Sequence, residues 1–495
     1  MPPLDIDERL SEAPDAAGVA PGTGWKRYLG LLVAGQTVTA FGSMLVSFAV
    51  MWHLVLTTGS GVLLTVSIVV SMVPQALVSV FGGVWADRYN RKALIVWSDG
   101  VRAVLTLALA LMLAAGFDHL WLLFTIMGLR SALGGIQVPA AGALLPQLAP
   151  ASQLLRVNGL RETLGALDAV IAPGVAAFLV ATGGLELTFG IDVLTTVIGI
   201  ALLAVIPVNK VAARVAAINA AEADDSILAT EPAAEAAPGE DAAPTGYFCE
   251  LKAGVSYVIA NRAIRWVTLL VAGALLFLGA PAILTTLMVH RNFGGEPWML
   301  AANEIAWFAG MMAVGGMITV LARRLGSTVR LILIAIVIAA ASTAALGLAG
   351  GHIALFLGVG AVNGAAFALF MTPATTFYQE VVEPELLGRV FGVVGVVTSL
   401  AMPISMIALG PLADVIAIET VFFLGGAGLI LLLGVFAAIP TARRSIMKAA
   451  GMRAIQTTDV TIIPGVSIPD DASALEQAAA AQTSSGTKVL VDSVA

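Results

Sequence analysis

Twelve apolar stretches, each long enough to cross a lipid bilayer as a helix, dominate this chain. About 20 mostly apolar residues span the hydrocarbon core in helical form. The stretches lie at about 28–56, 61–85, 93–115, 119–145, 155–182 and 185–206, then at about 264–290, 297–321, 329–349, 352–378, 386–413 and 416–439. In lipid, every backbone group must find its partner inside the protein, so a chain patterned this way folds as a helix bundle. Pro74, Pro139, Pro173, Pro281, Pro373 and Pro403 fall within these stretches. They are compatible with it, because neighbouring helices satisfy the freed backbone groups. The expected fold is an all-α membrane protein of twelve transmembrane helices.

Composition agrees. Of 495 residues, 59% are hydrophobic and 12% charged, against about 25% charged in a soluble domain. The net charge of −7 reflects acid concentrated in the tails and one linker. There is no basic footprint for nucleic acid, so none is expected as a partner. A single cysteine, Cys249, excludes an intramolecular disulfide and argues against a Cys-based metal site. No P-loop, His-Glu-x-x-His or nucleophile elbow occurs, which argues against ATP drive and against an enzyme. The four histidines are scattered, and no metal or cofactor is expected.

The segments divide the chain into an N-tail (1–25), a six-helix half (26–207), a linker (208–262), a second half (263–442) and a low-complexity tail (443–495). The 208–246 part of the linker is Ala-, Pro- and acid-rich and reads as disordered or partly helical. A shift of 233 residues superposes Gly82 on Gly315, Arg91 on Arg324, His119 on His352, Arg156 on Arg389, Glu186 on Glu419 and Pro207 on Pro440. The shift maps helix one onto helix seven with the same orientation, which makes two parallel repeats. Such repeats place a substrate site at their interface. Lys26, Arg27, Arg88, Arg91, Lys92, Arg156, Lys210, Arg214, Arg262, Arg323, Arg324, Arg389, Arg443 and Arg444 share one side, and Arg291 stands almost alone on the other. The bias puts both termini and the linker in the cytoplasm.

Between helices two and three, Gly83, Asp87, Arg88, Arg91 and Lys92 form a short charged loop, Gly83-x-x-x-Asp87-Arg88-x-x-Arg91-Lys92. In a 6+6 bundle this resembles the signature loop of the major facilitator superfamily. The likeness extends over about residues 25–445. It implies the major facilitator fold, alternating access, and a loop that meets the start of helix eleven, near Leu386–Arg389, to stabilise the outward-open state. Asp87 and Arg91 are expected to form that latch. Asn90 stands where the family usually has Gly; Asn is the next-best residue for a positive-φ turn, which is expected here.

Ionisable groups at bilayer depth are expensive and mark functional candidates. Arg130 lies near the middle of helix four and Asp168 at similar depth in helix five. The Arg130 segment resembles the helix-four motif of the family's antiporters, which implies proton coupling. Arg130 and Asp168 are expected to face one another or a common cavity, either as a protonation switch at Asp168 or as a structural pair. Glu304 in helix eight is a second proton-site candidate. Asp192 reads as marking the outer end of helix six. Asp99 with Arg102, and Arg161 with Glu162, read as gate or packing charges near the cytoplasmic ends of helices three and five.

Helices one, four, seven and ten line the cavity in the family. The candidates on them are Gln36, Thr39, Gln137, Thr285, Asn363 and Tyr378, among many apolar residues, although small and polar residues also serve helix packing. So sparse a polar lining suits amphipathic molecules better than sugars or small anions. Helix five carries Ala172-Pro173-Gly174, a degraded form of the family's antiporter motif. The loop, the Arg130 segment and the stretch from Pro139 to Gln147 look most like the macrolide-efflux, drug:proton antiporter branch. The expected function is export of amphipathic, drug-like molecules in exchange for protons, by a monomer in the cell inner membrane. Import of a metabolite, and export of a lipid or siderophore, are the alternatives.

Overall fold

The computed structural model describes residues 24–228, 247–315, 317–325 and 327–451. The readings of the N-tail before residue 24, of 229–246 and of the C-tail beyond 451 lie outside these residues. Among the described residues, ten helices are long and apolar enough to cross a membrane. One of them, the rod Leu154–Ala204, turns at Gly184, whose φ of 66° and ψ of −160° leave the helical region. Glycine alone adopts that conformation without strain, so the rod is two helices. A twelfth, Pro297–Gly315, carries Asn303 and Glu304 and is followed by the short helix Ile318–Leu325.

The first half therefore contains α1 (Gly24–Thr58), α2 (Gly61–Arg88), α3 (Arg91–Ala114), α4 (Leu120–Leu148), α5 (154–183) and α6 (185–204). The second contains α7 (Arg262–Phe293), α8 (Pro297–Gly315 with Ile318–Leu325), α9 (Thr328–Leu348), α10 (Ile353–Val381), α11 (Pro384–Leu409) and α12 (Ile418–Ala438). The start of the linker is helical, Val208–Leu228. It buries Val211 and Val215 against the first half, and Asn219 accepts a hydrogen bond from the Ala151 backbone at 2.9 Å. Another helix, Tyr247–Ala260, packs on α11.

The duplication is visible in the packing. In the first half α4 lies against α2 and α3, and α3 against the α5–α6 rod. In the second half α10 lies against α8 and α9, and α9 against α12. Between the halves the main contacts are α5 with α8 and α2 with α11, pairs that the 233-residue shift exchanges.

Glycines allow the closest approaches. A Cβ on Gly82 would lie 2.2 Å from the Gly135 carbonyl oxygen, and one on Gly364 would lie 2.0 Å from that of Trp307. Gly83, the glycine of the loop motif, has no such neighbour.

Two ends can be distinguished: a motif end, holding the α2–α3 loop, and a far end, holding the α1–α2 and α11–α12 turns. At the far end one buried cluster joins both halves, with Leu45, Trp52, Leu64 and Ala172 from the first and Leu284, Leu287, Met406 and Ala413 from the second. At the motif end the buried clusters stay within their own halves. Apolar burial thus closes the bundle at one end only.

Candidate functional site

The α2–α3 loop forms from a helix end and a helix start three residues apart. Asn90 has φ −62° and ψ 111°, and its side chain accepts a hydrogen bond from the Ala93 N–H. The expected positive-φ turn is absent. Asn90 acts instead as the N-cap of α3, a position Asn favours because its side chain satisfies a free N–H. Arg91 donates to the carbonyl oxygens of Ala86 and of Ala143 on α4, both at 2.9 Å. Lys92 donates at 2.8 Å to those of Ala204 and Ile206, placing a cation at the C-terminus of α6, where the helix dipole favours one. Arg91 lies 3.6 Å from Asp87. The Asp87 side chain is 77% exposed, and among the described residues it makes no bond to α11. Arg88 points into solvent. The loop is thus tied to its own half, and the expected contact with the start of α11 is not made among the described residues.

The far end is tied across the halves. Asp414, in the turn after α11, accepts from the N–H of Gly61 at 2.7 Å, from that of Val62 at 2.9 Å and from the Ser60 hydroxyl at 2.7 Å. Arg291 of α7 donates to Asp414 at 2.8 Å, to the Gly59 carbonyl at 2.7 Å and to the Ala413 carbonyl. Thr65 of α2 also donates to the Met406 carbonyl at 3.1 Å.

Arg130 does not face Asp168. It is buried and pairs with Asp192 at 2.7 Å. Although α5 follows α4 in the chain, α4 lies mainly on α2 and α3. Both α4 and α6 start at the far end. Arg130 and Asp192 sit about 15 and 10 Å along them at 1.5 Å per residue, so their depths match. Asp192 therefore belongs to the buried interior, not to the outer end of α6. It also accepts from Thr106 at 3.1 Å. Asp99 and Arg102, 3.3 Å apart, adjoin this pair, and Arg102 donates to Ser43 of α1 at 2.8 Å. Arg102 is about 16 Å into α3, mid-helix rather than near the cytoplasmic end. Two arginines and two aspartates thus make a neutral network inside the first half. Arg161 and Glu162 are exposed, and neither has an ion pair among the described residues.

Asp168 and Glu304 are half-buried, and neither has a cationic partner among the described residues. Glu304 accepts from Thr286 and Asn303, each at 3.3 Å.

Of the expected cavity residues, Gln137 donates to Gln36 at 2.7 Å, joining α4 to α1. The other four turn into helix contacts. Thr39 abuts Gly199 of α6. Thr285 accepts from Asn303 at 3.1 Å. Asn363 donates to Ser342 and Thr343 of α9, both at 3.0 Å. Tyr378 shares a hydrogen bond of 3.1 Å with Thr268 of α7. Polar groups inside an apolar bundle find one another, and residue type alone does not reveal which face they occupy.

A family model described as Major Facilitator Superfamily matches residues 32–406. Macrolide efflux protein A of Streptococcus pyogenes is 26% identical over 404 residues, covering 81% of this chain and 93% of that protein. Macrolide efflux protein A of Enterococcus faecalis is 25% identical over 350 residues, covering 70% of this chain and 100% of that protein. A POT family transporter, solved in complex with a thioalcohol-conjugated peptide, superposes with a TM-score of 0.62 at 13% identity, covering 84% of this chain and 96% of that one. The last likeness is one of fold. With a match of this length carried on a duplicated twelve-helix bundle, the chain belongs to the Major Facilitator Superfamily and is a multi-pass membrane transporter.

Proposed function

We propose that this transporter exports amphipathic, drug-like small molecules in exchange for protons. The observation that carries the reading is the similarity to Macrolide efflux protein A over 81% of the chain. The one-ended closure of the bundle supports it, because alternating access requires the halves to part at one end while they meet at the other. The excess of Lys and Arg at the motif end supports a cytoplasmic position for that end and, in this reading, for both termini. The far end then faces outward, and the state described is open inward, with the Asp87 loop disengaged.

Energy comes from the proton gradient, without a cofactor, and the monomer is the working unit. Asp168 and Glu304 are the proton carriers in this reading. Either can gain and lose a proton without stranding a cation, whereas protonating Asp192 would leave Arg130 as an uncompensated buried charge. Arg130 with Asp192 then holds the first half together as a rigid body.

Everted membrane vesicles test this directly. Imposing an inward-acid gradient should drive uptake of a labelled macrolide and abolish it on addition of a protonophore. Equal uptake by vesicles lacking the protein, across macrolides and other amphipathic drug classes, would refute it.

A further inference from the structure

The α2–α11 pair is antiparallel across the two halves, and each helix has a carboxylate at its C-terminal end. Asp87 is the penultimate residue of α2, at the motif end. Asp414 follows α11 by five residues, at the far end. Each carboxylate is therefore on the side of the bundle where its partner helix begins, and a helix begins with N–H groups that lack an internal acceptor.

At the far end that geometry is completed. Asp414 takes two backbone N–H groups of the first turn of α2 and the hydroxyl of its N-cap, Ser60. The α2 N-terminus is thus capped by the opposite half. Arg291 ties Asp414 to the Gly59 carbonyl and so locks the α1–α2 turn into the same knot. A Cβ on Gly61 would lie 2.2 Å from the Gly410 carbonyl oxygen, so the two turns sit backbone to backbone.

At the motif end the parts are present and apart. The N-cap of α11 is Glu383, whose side chain makes no capping bond, followed by Pro384 in the first turn. Asp87 is held only by Arg91 at 3.6 Å and is largely in solvent.

We infer that Asp414, which caps the start of α2 and is bonded to Arg291, is the lock of the far end; it mirrors, at the opposite end of the α2–α11 seam, the Asp87 latch that the family resemblance implies. This extends the alternating-access reading above and rests on it. Rocking of the halves about the seam brings one carboxylate onto its helix start as the other is drawn off. The second contact between the halves, α5 with α8, shows no such device among the described residues; there Gly174 meets Ile305 as an apolar contact. Among the described residues the polar hold on the far end therefore lies at α2–α11, beside the apolar cluster that joins the halves there.

The test reads conformation and leaves transport aside. Cys249, the sole cysteine, is replaced by serine. Spin labels go on His119→Cys and His352→Cys, exposed far-end positions related by the repeat. Pulsed electron–electron distances are measured in nanodiscs. The parent should show a dominant short distance. Asp414→Asn and Arg291→Gln should each raise the ratio of long to short distances at least threefold, while Asp87→Asn should leave or lower it. Distributions unchanged in both Asp414→Asn and Arg291→Gln would overturn the lock. Arg291→Gln keeps the Asp414 caps in place and decides the matter if Asp414→Asn fails to accumulate. A parallel vesicle assay on the parent separates the two claims. Distances that shift in a parent that moves no drug leave the lock standing and remove the export reading. A parent that exports while distances stay fixed does the reverse.

Discussion

The two halves share a fold but handle polar groups in opposite ways. The first half encloses four charges, Asp99, Arg102, Arg130 and Asp192, which sum to zero and bond to one another or to Ser43 and Thr106. The second holds one acid well inside, Glu304, with only neutral partners. At one repeat-related pair of positions the contrast recurs. Ser131 donates to the Ser71 carbonyl at 2.6 Å, bridging α4 to α2, and its counterpart Gly364 lets α10 approach α8 backbone to backbone. Duplication preserved the shape of the seam but not the interaction that makes it. A balanced network resists titration, because losing either sign strands the other. A lone acid can change charge without stranding a partner.

That contrast can be broken by substitution. The largest effect is expected for Asp192→Asn, which leaves Arg130 buried without its counter-charge. Breaking one partner of a buried pair costs about 3–5 kcal/mol, so folded yield and Tm in detergent should fall sharply. The double change Arg130→Met with Asp192→Leu should restore much of that loss; if it is worse than the single change, the network does more than balance charge. Next comes Gly364→Ala, whose Cβ would meet the Trp307 carbonyl oxygen at 2.0 Å. Overpacking of this kind costs about 1–3 kcal/mol, readable as a lowered Tm, whereas Ser131→Ala, which removes the bond to the Ser71 carbonyl and the one from the Gln75 N–H, should lose about 1–2 kcal/mol. Asn90→Ala removes the α3 cap and should cost about 1 kcal/mol, with Asn90→Asp close to neutral. Smallest in stability is Glu304→Gln, which keeps the side-chain shape and an acceptor for Thr286 and Asn303 and should change stability by less than about 1 kcal/mol, read as a nearly unchanged Tm. In proton-driven uptake it should nonetheless remove most of the gradient dependence. Undiminished dependence would move the proton site to Asp168.

Much of the fold was legible in the sequence because its determinants are local or periodic. Apolar length gave the helices, and their ends agree with the structure to within a few residues. The reading divided 155–206 at Gly184, where the backbone turns, because two membrane lengths cannot be one span. The 233-residue repeat anticipated which helices pack alike. The site was less legible. Thr39, Thr285, Asn363 and Tyr378, expected to line a cavity, meet neighbouring helices instead. Their spacing carries no mark of helix rotation, since the bundle is apolar on every side.

The sequence by itself determined a duplicated twelve-helix transporter with a charged loop between α2 and α3, because length, hydropathy and motif spacing are one-dimensional quantities. Only the tertiary structure decided that Arg130 meets Asp192, that Asn90 is a cap, and that the far end is the closed one. Each of those depends on which helices touch and how they are rotated, and in an apolar bundle that is settled by packing between segments distant in the chain. Asp414 shows this most plainly. In the sequence it is one acid in a short turn, and in the structure it takes the N–H groups of a helix some 350 residues away.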